Sequence, residues 1–228
     1  MNIIFKNNHY DENDYNNYLK KHVNNSYNNK TMLIMRRTPD LIYSICMCFE
    51  RNNTVIPIDP AYPKNHIQYI IKDSAPDEII SDVDSYDDLL QEKKLNITQD
   101  DVAYILYTSG STGSPKGVEI TYEALTNFIE GISEIIDFSP GKRIACFTTV
   151  AFDIFFLESI MALYKGLTVA LANEDEQRNP RLMAKLIHDN AVDMVQMTPS
   201  RMYLLLNHDK ELSCLKNVKE IMIGGEAF

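Results

Sequence analysis

Long apolar runs are missing from this chain of 228 residues, since no stretch approaches the length needed to span a bilayer. The opening, MNIIFKNNHYDEND, also lacks the charged and apolar sections of a signal peptide, so a cytoplasmic location is expected. Basic charge is scarce: 22 Lys and Arg stand against 32 Asp and Glu, for a formal net charge of −10. That balance leaves no electrostatic footprint for a nucleic acid or an anionic membrane, and neither partner is expected. Cysteine is limited to Cys46, Cys48, Cys146 and Cys214, all in apolar surroundings. Neither ligand spacing nor an export signal supports zinc or a disulfide, and no metal site is expected. The five histidines have no partnered Ser or Cys motif and are expected at the surface.

What is present suffices for a sizeable core, as 45% of the residues are hydrophobic. Residues 1–30 carry four Asn-Asn pairs and are weakly specified, although YDENDYNNYLKKHV is compatible with a polar helix. From residue 31 to 228 the punctuation is regular. TMLIM reads as a buried strand, and TPDLIYSICMCF reads as a helix capped by Thr38 with Pro39 at its first position. TVIPI, PKNHIQYIIKDS and EIIS continue the alternation before an acidic linker near 82–101 leads into VAYILYT. Helices are then expected over 122–136, 153–164, 180–189 and 199–207, separated by the strands RIACFTT, LTVALA, VDMVQM and EIMI. This order predicts an α/β fold of largely parallel sheets flanked by helices, as one large domain or two βα lobes.

One segment departs from the pattern. YILYTSGSTGSPKGVEIT places five hydroxyls, three glycines and a single lysine between two apolar strands. Gly110, Gly113 and Gly117 let the backbone adopt positive φ and approach a ligand closely. Thr108, Ser109, Ser111, Thr112 and Ser114 add hydroxyl donors and Lys116 a mobile positive charge, a combination suited to phosphate oxygens. A solvated hairpin-like loop rich in Gly and Ser is the plainer alternative. A Walker A loop is excluded by order, because Pro115 precedes Lys116 and Gly117 follows it.

YTSGSTGSPKG resembles the signature loop of the adenylate-forming (AMP-binding) superfamily. VIPIDPAYP at 55–63 resembles a motif of its amino-acid-activating branch, the adenylation domains of nonribosomal peptide synthetases. AFDIFFLESIMALYKG at 151–166 and IGGEAF at 223–228 resemble two further motifs of that branch, in the same order. The family's small Gly-containing turn before the PIDP strand is replaced by Glu50-Arg51-Asn52-Asn53, where Asn is expected at positive φ.

The resemblance implies two βα subdomains of the adenylate-forming large domain, with the β-barrel and C-terminal domain absent. It also implies ATP with Mg2+ as cofactors, the Mg2+-binding motif falling outside this sequence. The implied reaction converts an amino acid to its adenylate and passes it to the phosphopantetheine thiol of a peptidyl carrier protein; the rest of the adenylation domain is a further expected partner. Thr108, Ser109, Gly110, Ser111, Thr112, Gly113 and Lys116 are implied to hold the β- and γ-phosphates, with Lys116 and Thr112 acting catalytically. Gly225, Glu226 and Ala227 are implied to lie against adenine.

Asp153 lies in an apolar run, where a buried carboxylate needs compensation. It either caps the following helix, with Phe152 stapled against Leu157, or, as the resemblance implies, accepts the substrate's α-ammonium. Positions matching the side-chain pocket are Asp153, Ile154, Leu157, Gln196, Met222 and Gly224. Ile154, Leu157, Gln196 and Met222 among them read either as core or as long pocket walls that suit a small amino acid, glycine first and alanine next. Two other readings stand beside this one. The chain can be a non-catalytic remnant that binds nucleotide or a partner, or an acyl-CoA-ligase-like or D-alanine-carrier-protein-ligase-like member; Asp153 and PIDPAYP disfavour the acyl-CoA ligase.

Overall fold

The computed structural model describes residues 1–22, 27–84, 86, 90, 102–108 and 115–226. Two sheets form its frame. One holds β3 (Lys30–Ile34), β4 (Thr54–Ile58), β5 (Glu78–Ser81), β6 (Val102–Thr108) and β7 (Lys116–Thr121) in the order β5-β3-β4-β6-β7, parallel except for the β6–β7 hairpin. The other holds β1 (Ile3–Phe5), β2 (Asn8–Tyr10), β8 (Arg143–Cys146), β9 (Thr168–Leu171), β10 (Met194–Met197) and β11 (Glu220–Ile223) in the order β11-β10-β8-β9-β1-β2. Only β1–β2 is antiparallel there. The expected α/β class of mostly parallel, helix-flanked sheets is what the chain adopts.

Strand alternation sorts side chains into three apolar layers. Leu33 and Met35 face inward, where α2 (Pro39–Glu50) and the segment 154–164 fill the space between the sheets. Met32, Ile34, Ile56 and Ile58 face outward, onto Ile67, Ile70 and Ile71 of α3 (Lys64–Ser74). In the other sheet, Ile144, Cys146, Val169 and Leu171 point to the central layer, whereas Ala145, Ala170, Val195 and Met197 meet Met183, Leu186 and Ile187 on the opposite face. Those last three belong to α8 (Pro180–Asp189), which follows the short α7 (Glu174–Arg178), and Leu205 of α9 (Pro199–His208) joins them. On the central layer, α4 (Tyr122–Ser133) packs Leu125 and Ile129.

The helix starts follow the expected polar-proline signals with one difference. Asn179 accepts from the Arg181 amide and Thr198 from the Arg201 amide, but Thr38 occupies the N-cap of α2 without a side-chain bond. Pro39 still begins that helix, its fixed φ and missing N–H suiting the first turn. Asn52 has φ 55°, as expected for the turn before β4. The first residues fold more fully than their composition suggests. Asp11 closes a capping box with Asp14 on α1 (Glu12–Lys21), while β1 pairs with β9 across the chain. The expected helix over 153–164 is interrupted: α5 (Ile154–Phe156) leads into a π-helical turn at Leu157–Met161 and then α6 (Ala162–Tyr164). Of the histidines, His66 is half-buried beside Tyr62 and the other four are exposed.

Candidate active site

In doubly wound sheets, ligands settle at the carboxyl ends of strands whose following helices leave to opposite faces. β8 and β10 are such a pair. They are hydrogen-bonded neighbours, β8 being followed by α5 in the central layer and β10 by α9 on the outer face. The residues that follow these strand ends are 147–154 and Thr198, with the segment after β11 next to them in the sheet order.

Asp153 belongs to the segment after β8, and it is exposed, which corrects the expectation of a buried carboxylate. It caps α5 by accepting from the Ile154 amide at 2.9 Å. The expected staple does not bury Phe152, which stays 60% exposed while Leu157 is 2% exposed. Close by, Tyr104 stacks on Phe156 with ring centroids 4.1 Å apart. Burial pushes the Tyr104 phenol up to about 12, and the Asp153 carboxylate adds to that effect. The Asp153 charge thus sits near apolar walls yet remains open to a cationic partner.

The acid that is buried is Glu158, inside the π-helical turn and with no exposed surface. It accepts from the Thr148 amide at 2.8 Å and the Thr148 hydroxyl at 2.9 Å. Burial pushes its carboxyl up, while the Thr148 amide and the nearby Arg37 charge pull the other way. Arg37, 6% exposed, donates to the carbonyl oxygens of Ala172, Thr148 and Cys146. Sequence reasoning missed both residues. The one available signal was a glutamate five positions after Asp153 in an otherwise apolar stretch.

The remaining predicted positions divide. Gln196 on β10 is 5% exposed and pairs in register with half-buried Met222 on β11, so the two line adjacent strand ends with Ile154 and Gly224 at half-buried positions. Leu157 packs inside the central layer, where the core reading applies. Gly225 adopts φ +87°, and a Cβ there would lie 3.7 Å from Thr198 Cγ2. Glu226 accepts from the Ser200 hydroxyl at 2.5 Å and the Ser200 amide at 3.2 Å, bonds that hold its carboxyl below the usual range. Ala227 lies outside the described residues.

β6 and β7 flank the hydroxyl-rich segment. Thr108 and Lys116 are Cα partners at its base, and Lys116 is exposed. Ser109, Gly110, Ser111, Thr112, Gly113 and Ser114 lie outside the described residues. Tyr69 on α3 donates to the Pro115 carbonyl at 3.3 Å, fastening one side of the loop. Gly117 differs from expectation, because it is a strand residue rather than a positive-φ one. A Cβ there would come within 3.0 Å of Ile105 Cγ2, so close side-chain approach requires the glycine. Among the described residues no group of three His, Cys, Asp or Glu side chains is placed to hold a metal ion, the four cysteines are free, and no helix is long and apolar enough to cross a membrane.

Comparison with known proteins matches residues 82–228 to the family model described as AMP-binding enzyme. The chain is 29% identical over 220 residues to a dimodular nonribosomal peptide synthase of Bacillus subtilis, covering 86% of this chain and 9% of that protein. It is 31% identical over 216 residues to tyrocidine synthase 3 of Brevibacillus parabrevis, covering 86% of this chain and 3% of that protein. The chain therefore spans less than a tenth of either relative. Among solved structures, a holo four-domain nonribosomal peptide synthetase bound to AMP and glycine shares the fold, with TM-score 0.78 and 23% identity over 94% of this chain and 17% of that one.

Proposed function

The chain belongs to the AMP-binding enzyme family, and we propose that it activates a small amino acid, glycine first and alanine next, as aminoacyl-AMP for transfer to a carrier-protein phosphopantetheine thiol in nonribosomal peptide synthesis. In this reading a carboxylate oxygen of the amino acid attacks the α-phosphorus of ATP. The bond to the bridging oxygen breaks, and pyrophosphate leaves with that electron pair.

Each group has a task set by its chemistry. Thr108, Lys116 and residues 109–113 surround the β- and γ-phosphates of ATP, which enters with Mg2+; donors aimed at developing charge stabilise the departure of pyrophosphate. Asp153 accepts the α-ammonium in a charge-assisted hydrogen bond, which favours amino acids over plain carboxylic acids. Ile154, Gln196 and Met222 bound the side-chain space, and their length leaves little room beyond the α-carbon. Gly224 and Gly225 present a backbone that a flat purine can approach, with Glu226 and Ala227 beside it.

The observation that carries this reading is Asp153. It is an exposed carboxylate in the segment that follows β8, a strand that pairs with β10, which in turn pairs with β11. The test is amino-acid-dependent exchange of labelled pyrophosphate into ATP by the full-length protein across a panel of amino acids. The reading predicts the highest specificity constant for glycine, then alanine. Highest exchange with an aromatic or charged amino acid would refute the pocket argument, and absence of exchange with every amino acid would refute the activity.

A further inference from the structure

The motif VIPIDPAYP has no place in the chemistry above, yet its aspartate makes one of the contacts, beside those of Arg37, that join the two sheets. Asp59 follows β4, and its Oδ1 accepts from the Ala61 amide at 2.9 Å, fixing its own turn. Its Oδ2 accepts from the Thr149 hydroxyl of the other sheet at 2.8 Å. The neighbouring Thr148 is held by both oxygens of Glu158, and its carbonyl by Arg37. Two consecutive threonines after β8 are therefore each fastened by a carboxylate, from elements on different sides. The Thr149 carbonyl then accepts from the Phe152 amide at 3.1 Å, closing the turn that delivers Asp153.

We propose that Asp59 and Glu158 are positioning residues for amino-acid recognition, setting the Thr148–Thr149 segment so that Asp153 meets the substrate ammonium. This inference rests on the proposed amino-acid activation. A crevice between adjacent strands β3 and β4, whose helices also leave to opposite faces, supports it. The cleft there holds about 90 Å³, is lined by Arg37, Asp59 and Thr149 among others, and is where the second sheet docks. The motif thus fastens one sheet to the substrate-bearing loop of the other.

The test measures glycine-dependent pyrophosphate exchange by the full-length protein, varying glycine and ATP separately. Thr149→Val and Asp59→Ala should each raise the glycine KM about tenfold, the scale of one lost hydrogen bond to a charged group, with the ATP KM unchanged. Asp59→Asn, whose amide oxygen still accepts from Thr149, and Thr149→Ser should restore most of the affinity. The double variant should cost no more than either single one. Equal rises in both KM values, an unchanged glycine KM, or multiplicative losses in the double variant would overturn the inference. If Asp59→Ala fails to fold, the Val and Ser substitutions at Thr149 decide. Absence of glycine-dependent exchange in the unmutated protein overturns the functional reading and this inference together; normal exchange with unaffected variants overturns this inference alone.

Discussion

Replacing Arg37 by Met should destabilise the fold far more than an ordinary arginine substitution. The guanidinium serves the carbonyls of Ala172, Thr148 and Cys146, and among the described residues only the last keeps a further partner, the Ala172 amide. One buried acceptor, on Ala172, and one part-buried acceptor, on Thr148, would be orphaned, at about 1–3 kcal/mol each. Glu158 would also lose a neighbouring positive charge that favours its ionised form. These costs overlap and methionine retains the apolar stem, so the net loss should be about 3–5 kcal/mol. At about 2–4 °C per kcal/mol for a chain of this size, the melting midpoint should fall by about 6–20 °C. Urea and thermal unfolding followed by circular dichroism measure both quantities. Adding Glu158→Gln should recover part of the loss, since it removes the stranded charge. A loss below about 1 kcal/mol, on the scale of an exposed pair, would refute the argument that this buried cluster ties the sheets together.

Glu158→Gln alone should flatten the dependence of stability on pH. Burial raises the native carboxyl above its ordinary 4.5, so in the window above that value the native state holds more protons than the unfolded chain and stability falls as pH rises. The melting difference between variant and parent should therefore shift in the variant's favour from pH 4.5 upward; a pH-independent difference would contradict the assignment. Gly166 and Gly131 should respond oppositely to alanine. Gly166 has φ +79° and a Cβ would meet Pro140 Cβ at 3.3 Å, so Gly166→Ala should cost at least about 1 kcal/mol. Gly131 sits in the helix Tyr122–Ser133 with nothing within 4 Å, and Gly131→Ala should gain up to about 1 kcal/mol, both read by urea unfolding.

The sequence made strand and helix identity legible wherever period and punctuation agreed, as in Met32–Ile34 and at the Asn179–Pro180 and Thr198–Pro199 starts. Pairing was less so. β1 is three residues long and its parallel neighbour β9 lies more than 160 residues away, so nothing local marks Ile3 and Ile4 as sheet core. Asp153 and Glu158 show the same limit at the site. Both stand among apolar residues, but only the second turns inward, and that depends on a backbone amide and hydroxyl at Thr148. Nothing local marks Arg37 as buried, because its carbonyl partners come from the ends of β8 and β9 in the other sheet. Gly117 was legible as necessary, although for side-chain clearance rather than for φ.

The central claim is that the open carboxylate at the end of β8 receives the amine of the substrate. It is tested most directly by pyrophosphate exchange in the full-length protein and its Asp153→Ala variant, with glycine and acetate compared as substrates. The account predicts that the parent uses glycine and not acetate, and that the variant loses glycine-dependent exchange by at least about a hundredfold while its melting temperature falls by no more than the few degrees that one lost helix cap, about 1 kcal/mol, accounts for. Undiminished glycine-dependent exchange in the variant would contradict it.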